Sequence, residues 1–129
     1  MSANVLVDTS IWIYYLRKNQ DYFQTIDILL DKVLCFVTEP IVSELLQGVK
    51  TEGEFEKLRS YIDALPLEAV VYDDWINAGR LCFNMRKKGI TIPLTDALIA
   101  SVAIRADMEI FTLDRHFEVI PGIILYKTA

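Results

Sequence analysis

Val5, Leu6 and Val7 are consecutive, apolar and mostly β-branched, which is how a strand buried on both faces reads. Asp8, Thr9 and Ser10 follow with no spacer, and a second apolar run over residues 11–16 suits the first turns of a helix. A strand handing over directly to a helix is the unit of open α/β folds, which bind ligands at the carboxyl ends of their strands. Asp8 is therefore expected at the edge where chemistry occurs. Asp, Thr and Ser are equally ordinary N-cap residues, whose side-chain oxygens accept bonds from the free amides of the next helix. On this stretch alone both readings stand, and Asp8 gains meaning only from company.

The alternation continues along the chain. Residues 20–32 read as a helix with Phe23, Ile26, Ile28, Leu29 and Leu30 on its apolar side, and 33–37 as a short strand. Thr38-Glu39-Pro40 is a helix start, with Thr as the cap and Pro in the first turn. The helix it opens, residues 40–50, carries a stripe of Ile41, Val42, Leu45, Leu46 and Val49, and Glu44 falls at the stripe's edge beside Gly48. By spacing alone Glu44 is a solvated helix-face glutamate. Residues 52–65 form a charged helix ended by Pro66, and 67–72 a short strand. Asp73 and Asp74 then open a helix that runs to Lys88 and closes at Gly89. Acids at its start and Arg86-Lys87-Lys88 at its end are what a helix dipole favours.

The run Ile92-Pro93-Leu94-Thr95-Asp96 opens a helix, residues 96–106, that is apolar almost all round and so reads as buried. Ser101 and Arg105 mark its one wet face, and Asp96 projects about 160° away from them. Asp96 therefore points inward, where a carboxylate without a partner is too costly to be accidental. Residues 108–112 read as another buried strand, stopped by Leu113-Asp114-Arg115-His116-Phe117. Pro121-Gly122 is a turn, and 123–126 a closing strand. Strands alternating with helices imply a parallel sheet with every carboxyl end on one rim. That rim would hold Asp8 and Asp114, with Asp96 entering from the helix before the last buried strand.

At 129 residues, with no repeat or linker, the chain is expected to be a single domain, 1–129. It has no apolar stretch long enough to span a membrane and no secretory signal pattern, which predicts a cytoplasmic protein. Cys35 and Cys82 lie in apolar surroundings and read as core thiols, and with one histidine there is no spaced Cys/His set for structural zinc. A net charge of −5 argues against a broad basic surface for nucleic acid. It does not exclude a nucleic-acid enzyme, because a carboxylate site contributes negative charge until its cation arrives. Clustered carboxylates raise one another's pKa, and a hard divalent cation such as Mg2+ resolves the conflict while leaving positions open for water and phosphate. Arg17, Lys18, Arg86, Lys87, Lys88 and Arg115 are candidate phosphate contacts.

Four motifs, in order and over essentially the whole chain, resemble the PIN domain family and in particular the VapC-like ribonuclease toxins of type II toxin–antitoxin systems. They are V-L-V-D-T-S-I-W-I from Val5, S-E-L-L-Q-G from Ser43, I-P-L-T-D-A-L-I-A from Ile92 and T-L-D-R-H-F from Thr112. The resemblance implies a three-layer α/β/α fold with a central, mainly parallel sheet. It implies Asp8, Glu44, Asp96 and Asp114 as an acidic quartet around Mg2+ or Mn2+, with Ser10 and Thr112 as neighbouring hydroxyls; these two and Arg115 are the expected substrate-binding residues. It implies RNA cleavage by metal-activated water, a VapB-like antitoxin as partner, and a homodimer. Glu44 owes its place in the set to the resemblance. A catalytically silent PIN-like module that binds RNA or protein is the alternative.

Overall fold

The computed structural model describes residues 3–17, 20–32 and 34–127, and of residues 20–23 the backbone alone. Lys18, the first residue of the strand expected at 33–37, and the side chain of Phe23 lie outside the described residues. β1 (Val5–Val7) runs into α1 (Thr9–Leu16) with Asp8 alone between them, and α2 (Gln20–Asp31) leads to β2 (Cys35–Phe36). Four helices follow: α3 (Glu39–Gln47), α4 (Glu52–Asp63), α5 (Tyr72–Lys87) and α6 (Leu94–Arg105). β3 (Glu109–Phe111) then precedes a 3-10 helix at Arg115–Val119.

The strands pair in parallel in the order β2-β1-β3, with Val5, Leu6 and Val7 opposite Glu109, Ile110 and Phe111, and with helices flanking the sheet. β1 is central, and all three of its residues are buried, as a two-faced strand requires. From β1 the chain crosses to β2 on one side, and from β3 it continues outward on the other, where Leu125 bridges Ile110. Neighbouring strands whose continuations diverge open a crevice between their carboxyl ends, and here those ends are Asp8 and Thr112.

Two expected strands shrink to single bridges. Leu67 alone pairs with Val37, because three residues on the Val70 amide turns away from the sheet to donate to Glu39 Oε1 at 2.8 Å, and Tyr72 is already helical. Over residues 123–126 only Leu125 pairs, against a β3 that is itself three residues long.

The helix expected to be buried is so: every residue from Asp96 to Ala103 is enclosed. The wet face assigned to it needs correction, since Ser101 is buried too. Its hydroxyl donates to the Ala97 carbonyl at 2.8 Å, satisfying itself inside the helix without water. Asp74 also departs from expectation. It is fully buried against Arg105 instead of facing solvent at a helix start. Cys35 is a buried free thiol, pushed up to about 12 by burial, while Cys82 is only half-buried. Among the described residues no helix is long and apolar enough to cross a membrane.

Candidate metal centre

Asp8 occupies the N-cap position of α1 in extended backbone, yet its carboxylate makes no capping bond. Oδ2 instead accepts from the Thr112 hydroxyl at 2.8 Å and from the Ser10 hydroxyl at 3.0 Å. The capping reading is thereby set aside: the side chain faces the crevice and not the helix end. Each hydroxyl also takes a backbone amide, Thr112 from Asp114 at 2.9 Å and Ser10 from Leu113 at 3.0 Å. The Asp8 amide donates to the Phe111 carbonyl at 2.9 Å. These bonds tie the ends of β1 and β3 together and hold one carboxylate at their seam.

Asp96 enters from the first turn of α6, after Pro93, and is buried as its angular position required. Desolvation, followed by the nearby Asp114 and Asp8, raises its pKa to about 6, against which a hydrogen bond from His116 works. Asp114 caps the 3-10 helix by accepting from the His116 amide at 2.9 Å. That turn brings the imidazole back over the acids: Nδ1 stands 3.0 Å from Asp96 Oδ2 and 3.0 Å from Asp114 Oδ1.

Glu44 is half-buried, with a raised pKa whose causes are desolvation, then Asp8 and Asp96, with a smaller push from Asp114 and a long, 3.5 Å bond from the Thr9 hydroxyl opposing them. It is not the solvated side chain that spacing alone described. The four acids therefore lie close enough to feel one another's charge. Glu44 also borders two grooves, of about 600 and about 470 Å3, the first lined by Arg17 and the second by Thr95. Gly48 leaves no special room beside it, for a Cβ there would make only ordinary contacts.

Asp96, Asp114 and His116 each offer a ligand atom, all within 4.8 Å of one another, which makes a candidate metal-binding cluster. Carboxylate oxygens with one imidazole nitrogen suit a hard or borderline divalent cation and fit poorly with any soft one. His116 is the participant that sequence reasoning passed over. An acid and a histidine two apart, directly after a strand, is the signal that could have found it. Arg115 is exposed beside this cluster, whereas Arg86 and Lys87 close α5, where the Lys87 ammonium lies 4.4 Å from the centre of the Phe83 ring.

Comparison with curated proteins gives no match. Among solved structures the chain is similar to VapBC2 from Rickettsia felis bound to a DNA fragment from their promoter. The identity there is 24%, covering 97% of this chain and 98% of the other, with a TM-score of 0.81. A DNA-bound VapBC from Salmonella typhimurium aligns at 20% identity over 97% and 98%, with a TM-score of 0.81. VapC20 of Mycobacterium tuberculosis, described as a toxin cleaving the sarcin-ricin loop, aligns at 13% over 92% and 96%, with a TM-score of 0.67. At these identities the likeness is one of fold. The sequence itself carries the closer relationship: the family model for the PIN domain matches residues 5–123, a span that takes in Asp8, Glu44, Asp96 and Asp114 alike, and the chain belongs to that family.

Proposed function

We propose that this chain is a metal-dependent endoribonuclease, a single domain over residues 1–129, acting as the toxin of a VapBC-type toxin–antitoxin pair. The observation that supports the reading best is a set of acids buried within reach of one another: burial first, and then the neighbouring carboxylates, raise the pKa of both Asp96 and Glu44. Carboxylates held against one another at a strand edge destabilise a protein that has no cation to put between them. Mg2+ or Mn2+ bound among them would supply an activated water and charge stabilisation at the leaving oxygen of a phosphodiester.

The chain's own residues divide the remaining work. Asp8 and Asp96, the most buried of the four acids, hold the cation most directly, and Glu44 and Asp114 complete its surroundings. Ser10 and Thr112 fix the rotamer of Asp8 and line the approach of the substrate. Arg17, in the groove beside Glu44, and Arg115 offer cations to RNA phosphates. The likeness to VapBC complexes makes a VapB-like antitoxin the expected partner, and the proposal includes a homodimer located in the cytoplasm.

The experiment is cleavage of total RNA by the purified chain in Mg2+ or Mn2+ and in EDTA, with mapping of the new RNA ends. Asp8→Asn and Asp96→Asn are expected to abolish cleavage while melting cooperatively. Full activity in either variant rejects the assignment. RNA binding with no cleavage under any divalent ion would favour the silent module.

A further inference from the structure

His116 has no place in a quartet of acids, yet its ring lies among them. We infer that His116 is a nitrogen ligand of the metal and gives this centre a preference for Mn2+ over Mg2+ that carboxylates alone would not confer. The inference rests on the metal-dependent reading above and adds the identity of the cation.

The placement is built in. Asp114 accepts from the His116 amide, fixing the turn, and the next residue, Phe117, is fully buried and anchors the 3-10 helix to the core. The imidazole is therefore aimed by the backbone on both sides, although half of its side-chain surface remains open to solvent. Its Nδ1 is 3.0 Å from an oxygen of Asp96 and 3.0 Å from an oxygen of Asp114. Adjacent ligands of an octahedral ion with bonds of roughly 2.1 Å stand about 3 Å apart, so these two separations suit neighbouring positions on one ion. Ligation uses the tautomer with its proton on Nε2.

Chemistry then sets the preference. Mg2+ dehydrates reluctantly and is served by oxygen ligands, so an imidazole adds little to its binding. Mn2+ shares the liking for carboxylate and water and, as a transition ion, also accepts nitrogen.

Pulsed electron paramagnetic resonance on the full chain loaded with Mn2+ alone reads the bond itself. The wild type is expected to show nitrogen modulation from a bound imidazole, and His116→Asn to lose it. Calorimetry without RNA gives the second reading: in His116→Asn, Mn2+ affinity falls about tenfold or more, and Mg2+ affinity by less than about threefold. The asparagine amide can still donate to Asp96, so a purely hydrogen-bonding histidine would leave both affinities in place. Absence of nitrogen coupling in the wild type, or equal changes for the two ions, overturns the inference. Asp96→Asn separates this from the larger reading: if it binds Mn2+ as the wild type does, the metal centre itself is misassigned.

Discussion

Asp74 and Asp96 hold the same position, the third residue of consecutive helices that pack on each other, and both are buried. Their surroundings are opposite. Asp74 caps the Val71 amide at 2.9 Å and takes Arg105 through Nε at 2.9 Å and Nη2 at 3.0 Å, so the chain neutralises it. Asp96 faces Asp8 and Asp114 and, among the described residues, has only a half-exposed histidine for relief. α6 carries both halves of the contrast, since its last residue, Arg105, serves the acid of another helix while its own acid goes without a permanent cation. A buried charge that the fold satisfies belongs to stability. One that the fold leaves in want is a candidate for a ligand.

The contrast breaks most visibly in function. Asp96→Asn and Asp8→Asn are expected to lower RNA cleavage by about 10³-fold or more, or about 4 kcal/mol of barrier, measured as initial rates in saturating Mn2+. Arg105→Ala should leave the cleavage rate of the folded protein alone and cost about 3–4 kcal/mol of stability in urea melts. It strands a carboxylate that is fully enclosed. Pairing Arg105→Met with Asp74→Leu should recover most of that loss, because two apolar side chains leave no unpaired charge. If Arg105→Ala silenced the enzyme and Asp96→Asn unfolded it, the assignment of roles would be reversed.

Proton linkage tests the Asp96 half of the contrast next. Asp96 titrates at about 6 in the fold against 3.8 for the free side chain. Between about pH 4 and 6 the folded, metal-free protein thus holds a proton that the unfolded chain has released. The associated stability is complete below about pH 4 and is lost as pH rises through about 6, a change of up to about 3 kcal/mol. Asp96→Asn should abolish that slope and be the more stable protein at pH 7 in EDTA. Mn2+ at a hundred times its dissociation constant should return about 3 kcal/mol to the wild type and nothing to the variant. Thermal melts with metal titrated against EDTA at fixed pH measure both.

The two acids also differ in how far they could be read from the chain. Asp96 was legible because an almost wholly apolar helix leaves an acid only one direction to point, and Asp8 because a buried strand stops on it. Asp74 was not, since its partner lies 31 residues away and no local pattern joins them. Glu44 sat at a stripe edge, where periodicity favours solvent. Only the order of four motifs grouped it with the other acids, because its nearness to Asp8 and Asp96 comes from distant parts of the chain and spacing along one helix does not encode it. Ser101 misled for a different reason: a serine can satisfy its hydroxyl on its own helix, so a polar residue does not by itself mark a wet face. The sheet was legible in its central strand and overdrawn at its margins, where Val70 prefers a carboxylate to a ladder partner.

A second arginine–aspartate pair sharpens the comparison from the weak end. Arg59 and Asp63 stand one turn apart on α4, with Nε to Oδ2 at 3.7 Å and more than half of each side chain in water. The ion types match those of Arg105 and Asp74, and the burial does not. Water screens the exposed charges, and either side chain is solvated when the other is removed, so neither is stranded. Arg59→Ala is expected to change stability by no more than about 0.5 kcal/mol, with any change shrinking further in 0.5 M salt. If it cost as much as Arg105→Ala, charge pairing as such would be holding the fold together. The enclosure of Asp74 would then no longer explain why its arginine matters.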